Sequence, residues 1–150
     1  MMEEISKKLE LLLDRWGAMK PGSIADFEEK VSIAKWSKKE MLGHLVDPAL
    51  NNWQRFTEIQ YFEKPYTIRD YNPDALVIAN HYQGKDADAL LQLWLHLNRH
   101  ILSIIKNQTE MSLQYEIILP EQQKTDLRFL IEDYYNHMNH HLDQIISDKN

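Results

Sequence analysis

Residues 127–145 read LRFLIEDYYNHMNHHLDQI and place an apolar side chain at every third or fourth position. This spacing matches the α-helical period of 3.6 residues, so the segment is predicted to be an amphipathic helix with one buried face. The apolar stripe consists of Leu127, Leu130, Ile131, Tyr134, Met138, Leu142 and Ile145. A helix with such a stripe must pack against other elements, and the rest of the chain is expected to supply further helices.

Three histidines lie within this segment. Residues four apart on a helix lie one above the other, so His137 and His141 would present two imidazoles to one point. His141 falls inside the apolar stripe, His137 at its edge and His140 well outside it. We therefore predict that His137 and His141 are metal ligands and that His140 is solvated. The alternative is that the histidines are hydrogen-bonded core residues without an ion.

The remainder of the chain is predicted to be helical, because four glycines, five prolines and few β-branched clusters argue against a sheet. Apolar periodicity predicts long helices at 3–19, 37–62, 86–107 and 125–147, and a short helix at 73–82. Residues 113–119 are predicted to be an extended crossing segment. Connections of roughly ten to twenty residues favour an all-α four-helix bundle with an overhand crossing rather than a tight up-down-up-down bundle.

Composition limits the class of protein. A length of 150 residues predicts one domain spanning residues 1–150. The absence of cysteine excludes disulfides, thiolate zinc sites and a cysteine nucleophile, and it agrees with a cytoplasmic location. No apolar run is typical of a signal peptide or membrane span. A net charge of -6 with scattered basic residues argues against a nucleic-acid partner.

A third ligand is predicted on the second helix. Metal sites in bundles are assembled from inward side chains of facing helices, and His44 is flanked there by core positions. Pro48, four residues later, removes a backbone hydrogen bond and crowds the carbonyl of His44. Three neutral imidazoles leave open positions on zinc, nickel, iron or manganese, as catalytic sites do. A metal ion held in such a site could lower the pKa of a bound water or polarise a carbonyl.

Four further polar residues lie near the predicted histidine row. Asp47 and Asp133 could each accept the second ring N–H of a ligand histidine, although an exposed acid is the more common interpretation of Asp133. Asn52 and Arg55 could hydrogen-bond a substrate carboxylate or amide, or they could form a structural polar network. The remaining histidines are predicted to lie on the surface: His81, His96 and His100.

Several segments resemble the DinB-like proteins, especially the YfiT-like metal-dependent hydrolases, and they follow one another over nearly the whole chain. They are Trp36-Ser37, Leu42-Gly43-His44-Leu45-Val46-Asp47, Asn51-Asn52-Trp53-Gln54-Arg55-Phe56, Tyr71-Asn72-Pro73-Asp74, Asn98-Arg99 and His137-x-x-His140-His141. The chain departs from the usual pattern at Pro48 and Leu76. Both positions are expected near the pocket, so the resemblance leaves the substrate open.

The resemblance implies a four-helix bundle in up-down-down-up order, frequently a homodimer. It also implies a divalent metal, held here by His44, His137 and His141. Members are hydrolases of small molecules or S-transferases that activate a low-molecular-weight thiol on the metal. An enzyme of either kind is the leading hypothesis, with zinc or nickel favoured over manganese or iron. A non-catalytic metal-binding dimeric bundle and a metal-free protein are the alternatives.

Overall fold

A computed structural model of the chain describes residues 2–147, and this part contains five α-helices and three short β-strands. The helices are α1 (Met2–Gly17), α2 (Lys38–Glu58), α3 (Pro73–Ala79), α4 (Ala87–Lys106) and α5 (Leu127–Ile146). The strands are β1 (Tyr66–Thr67), β2 (Glu116–Ile118) and β3 (Lys124–Asp126). The predicted bundle of four long helices, with a short helix between the second and third, is confirmed.

Side-chain caps fix the starts of α2 to α5. Ser37 Oγ accepts a hydrogen bond from the Glu40 backbone N–H, while the Glu40 carboxylate accepts one from the Ser37 N–H. The side chains of Asn72, Asp86 and Asp126 cap α3, α4 and α5 in the same way, each accepting from the backbone N–H three residues on. These bonds satisfy amides that have no partner within the helix, which sets where each helix begins.

Contacts between α1 and α4 show that these two helices are antiparallel. The Trp16 and Trp94 ring centres lie 6.3 Å apart. The Lys106 ammonium lies 3.2 Å from the Glu10 carboxylate. Earlier residues of α1 therefore pair with later residues of α4.

Contacts between α2 and α4 run in the opposite sense. The Trp53 and His100 rings stack with their centres 4.1 Å apart. Just beyond the helix ends, the Gln60 amide donates to the Gln108 side-chain oxygen. Later residues of one helix thus pair with later residues of the other, so α2 and α4 are parallel. Parallel neighbours need a long connection, and residues 59–86 provide it.

The last helix runs antiparallel to α2. The His44 ring lies 4.9 Å from the His141 ring, and the Phe56 ring lies 5.9 Å from the Tyr134 ring. Taken with the two preceding pairs, the directions of α1, α2, α4 and α5 are up, down, down and up, as predicted. This order brings α2 and α5 together along the length that holds the histidines.

The core follows the predicted stripe of α5 residue by residue, since all seven of its members are buried. Helical periodicity on α4 predicts a buried face that includes Leu93, but this prediction is wrong, because the Leu93 side chain is 46% exposed whereas Leu95 is buried. The reason is that α4 lies between α1 and α2 and packs on both of them. Its buried face is consequently wider than one stripe and turned away from Leu93.

A three-stranded sheet occupies the two long connections, and the expectation of no sheet was wrong. Strands β2 and β3 form an antiparallel pair, and β1 lies parallel to β2. The two connections run side by side where α2 and α4 end, so their backbone amides and carbonyls can satisfy one another. Ile117 is fully buried there, and its branched side chain suits a strand. The segment predicted as extended, 113–119, contains β2.

The helices bear on the prediction that the chain has no membrane span. Within residues 2–147, no helix is both long enough and apolar enough to cross a bilayer.

Candidate metal centre

Three imidazoles from two helices meet where α2 faces α5, with His44 buried, His141 half-buried and His137 exposed. His44 comes from α2, and His137 and His141 come from successive turns of α5. One ring nitrogen from each lies within 4.8 Å of the other two. The ring centres are 5.5 Å apart for His44 and His137, 4.9 Å for His44 and His141, and 4.5 Å for His137 and His141. The residues predicted separately from the two helices thus lie together.

The spacing of the two α5 histidines suits a shared cation. Their Nε2 atoms lie 3.2 Å apart. A tetrahedral ion with metal–nitrogen bonds of about 2.0–2.1 Å holds two ligand nitrogens about 3.3 Å apart. The observed separation therefore fits two bonds to one ion without a change of backbone.

His44 is held in a rigid, dry environment. Its side chain is 4% exposed, and the Trp36 indole packs on its ring at 4.5 Å between centres and 34° between planes. Its Nδ1 atom is buried and has no hydrogen-bond partner within residues 2–147. A buried nitrogen without a partner is costly, and a cation or a hydrogen-bonding ligand bound directly to that atom would offset the cost.

The electrostatics keep the three rings neutral. Burial, followed by the nearby His141 and His137, lowers the pKa of His44 to about 4. Burial also lowers the pKa of His137 and His141; the Asp133 charge opposes this at His137, and the hydrogen bond that His141 Nδ1 donates to Gln144 Oε1 opposes it at His141. At neutral pH each ring therefore retains a nitrogen lone pair that a metal ion can use.

Low pH is expected to destabilise the metal-free protein through His44. Unfolded, this residue takes up a proton below its ordinary pKa of 6.5, whereas folded it does so only near 4. The resulting stability is present above pH 6.5 and is lost as the pH falls from there toward 4. Between about pH 7 and pH 4.5, the unfolding free energy should fall about 2 to 3 kcal/mol more in the wild type than in His44→Gln.

Urea unfolding of both proteins at both pH values, with chelator present, measures this difference. Other titrating groups are shared and cancel in the comparison. Equal losses in the two proteins would show that His44 is not held neutral by its surroundings.

Asp47 contacts a tyrosine rather than a histidine. Its Oδ1 accepts a 2.5 Å hydrogen bond from the Tyr82 hydroxyl, and burial raises the pKa of its carboxyl group. Its Oδ2 is buried without a partner, and within residues 2–147 no hydrogen bond joins it to a histidine. The ring-orienting role predicted for Asp47 is therefore without a supporting contact.

Close approach at Gly43 makes this arrangement fit. A Cβ atom added at Gly43 would lie 2.2 Å from Cγ of Tyr82, so only glycine lets the tyrosine ring reach across α2. Sequence reasoning placed Tyr82 at the end of the predicted helix 73–82, but α3 ends at Ala79, and no periodic signal connects Tyr82 to Asp47. Sequence reasoning also missed Gln144, whose Oε1 lies 2.9 Å from Nδ1 of His141; the three-residue spacing on α5 could have revealed it.

A cavity of about 140 Å³ opens beside His137. Asn52 and Arg55 of α2 line it, together with Asp133 of α5, so the structure brings both predicted substrate-binding residues and one predicted acid to the same place. Asp133 is exposed, and its charge raises the pKa of His137 against the effect of burial. Pro48 also lines the cavity, and α2 continues through it as one helix.

The remaining histidines stay on the surface. His140 is exposed, with its ring 5.5 Å from that of His141. The exposed His100 stacks on Trp53, on the α4 side of α2. His81 and His96 are also exposed.

Comparison with known proteins supports the fold. No family model and no curated protein sequence matches the chain. Among solved structures, YfiT from Bacillus subtilis, described as "a probable metal-dependent hydrolase with an unusual four-helix bundle topology", superposes with a TM-score of 0.77 at 18% identity, covering 96% of this chain and 81% of YfiT. This chain has the YfiT-like fold. The resemblance seen in the sequence is confirmed at the level of the fold.

A second structure shares the YfiT-like bundle. It is a mycothiol-dependent maleylpyruvate isomerase, which superposes with a TM-score of 0.70 at 13% identity. The match covers 95% of this chain but 60% of the isomerase chain, so this chain spans less than two thirds of that enzyme.

Proposed function

We propose that this protein is a divalent-metal-dependent enzyme that acts on a small molecule, with His44, His137 and His141 as its metal ligands. The convergence of three imidazoles from α2 and α5 is the observation that carries the proposal. Three protein ligands leave coordination positions open, which distinguishes catalytic metal sites from closed structural ones. The description of YfiT as a probable metal-dependent hydrolase supports the same conclusion.

A divalent ion bound there would supply Lewis acidity, which lowers the pKa of a water or thiol and polarises a carbonyl. Imidazole donors favour zinc and nickel, with iron and manganese as alternatives. The chain's own part is to keep the imidazoles neutral, as the lowered pKa values indicate, and to hold their rings in place. Trp36 and the α2 backbone fix His44, while the adjacent cavity offers room for a substrate.

Hydrolysis is our leading assignment, and transfer of a low-molecular-weight thiol is the second. The second is favoured by the mycothiol dependence of the isomerase that shares the fold. The two reactions differ in their nucleophile. Turnover of an activated ester by the metal-loaded protein without thiol would support hydrolysis, and turnover only after thiol is added would support transfer.

The metal content of the purified protein tests the proposal. Protein prepared without an affinity tag and supplied with zinc or nickel should retain about one equivalent per chain after dialysis. Chelation should abolish turnover, and return of the same metal should restore it. Protein that binds no metal under these conditions would contradict the proposal. Metal that raises the melting temperature without supporting turnover would favour the non-catalytic bundle.

The single domain spanning residues 1–150 and the homodimer stay predictions.

A further inference from the structure

Arg55 carries a positive charge that the described chain leaves unneutralised. One guanidinium nitrogen donates a 2.8 Å hydrogen bond to the backbone carbonyl of Arg69, and the group lies 5.8 Å from the centre of the Tyr71 ring. Its side chain is half-buried, and within residues 2–147 it forms no ion pair. Asp70 is near enough to act on its charge but does not contact it. A guanidinium has five N–H donors, so most of this group's capacity remains unused.

Asn52, one turn earlier on α2, adds an unsatisfied acceptor. Its side chain is 5% exposed. Its Nδ2 donates to the Pro48 carbonyl at 2.9 Å, whereas its Oδ1 is buried with no hydrogen-bond partner in the described chain. A buried acceptor without a donor costs free energy that a suitable ligand would recover.

Both residues line the same cavity as His137. The cavity therefore presents an unneutralised cation and a free acceptor beside the histidine group. Asp133 also lines the cavity and its charge acts on His137, but within residues 2–147 neither an ion pair nor a hydrogen bond joins it to Arg55. These features match a small ligand that carries an anionic group and, next to it, a hydrogen-bond donor.

We propose that the cavity binds the carboxylate end of a small substrate, with the Arg55 guanidinium as its partner and Asn52 Oδ1 accepting a hydrogen bond from an adjacent hydroxyl or amide. The planar guanidinium pairs with a carboxylate through two parallel hydrogen bonds, which suits this narrow cavity. This assignment deepens the proposed function, because it names the class of substrate whose reacting carbonyl would lie toward the histidines. Binding at Arg55 itself does not depend on the reaction.

Calorimetric titration of the zinc-loaded full chain with propionate and its neutral isostere propionamide tests the proposal. Propionate should bind about tenfold more tightly, because a charge-assisted pair with Arg55 is made only by the acid. Arg55→Gln should remove that preference, and Arg55→Lys should keep part of it. Lactate, which adds a hydroxyl for Asn52, should bind more tightly than propionate. Arg15→Gln, at an exposed position on α1, is the matched control and should bind like the wild type.

Separate arms distinguish failure of this assignment from failure of the proposed function. Zinc content is measured in every variant, so a loss of metal is seen apart from a loss of carboxylate binding. If Arg55→Gln binds propionate as tightly as the wild type, the carboxylate sits on the metal alone and the assignment is overturned. No preference for propionate over propionamide, or tighter binding of inorganic phosphate than of propionate, would also overturn it.

Discussion

Replacing His137 with alanine is expected to weaken zinc binding by more than about a hundredfold, since loss of a direct ligand should exceed the 10–100-fold cost of losing an outer-shell partner. The Nε2 atoms of His137 and His141 lie only 3.2 Å apart, so the substitution removes one of two nitrogens placed for the same ion. His44 and His141 alone would leave a two-ligand site, which is a poor competitor for zinc. Competition with a coloured chelator measures the change, and turnover should fall in parallel.

His140→Ala is the matched control for this experiment. His140 lies on the same helix and beside His141, but its side chain is exposed and stands outside the three-histidine group. Its removal should leave the zinc affinity within about twofold of the wild-type value. If His137→Ala keeps full zinc affinity, or if His140→Ala loses it, the ligand assignment is wrong.

Replacing Gly43 with alanine is expected to lower the unfolding free energy by about 3 kcal/mol or more. The new Cβ would lie 2.2 Å from Cγ and 2.6 Å from Cβ of Tyr82, so the ring must move. Its movement would also take the hydroxyl away from Asp47 and leave a buried carboxyl group without a partner. These losses should outweigh the gain of about 1 kcal/mol that alanine brings to a helix interior. Urea denaturation measures the difference.

Gly84→Ala provides the comparison, because no atom lies within 4 Å of a Cβ added at Gly84. Its unfolding free energy should stay within about 0.5 kcal/mol of the wild type. A Gly43→Ala protein as stable as the wild type would show that Tyr82 does not pack across α2 as described.

The elements that periodicity and capping chemistry specify could be predicted from the sequence. The stripe of α5 is local information, since each member follows from its helical angle, and all seven members are buried. The capping box at Ser37 and Glu40 is equally local, and with Ser37 as its cap α2 begins at Lys38, next to the start predicted at residue 37. The histidine pair on α5 could be chosen because helical geometry fixes which side chains share a face.

The features that sequence reasoning missed depend on contacts between distant residues. The strands form because the connection after α2 and the connection after α4 lie side by side, and no local sequence pattern predicts that proximity. The exposure of Leu93 depends on which neighbours α4 packs against. The pair of Tyr82 with Asp47 joins residues 35 apart, through a gap at Gly43 that only the packed bundle reveals. His44 could be proposed as a ligand from its position on α2. Its closeness to the rings of His137 and His141, however, follows only from the way α2 and α5 pack in the fold.

X-ray absorption at the metal edge of the zinc-loaded wild-type protein tests the central claim most directly. The account predicts about three imidazole nitrogens at about 2.0–2.1 Å, with oxygen ligands completing the shell. One imidazole or none in the zinc shell would contradict it, because His44, His137 and His141 would then not share an ion.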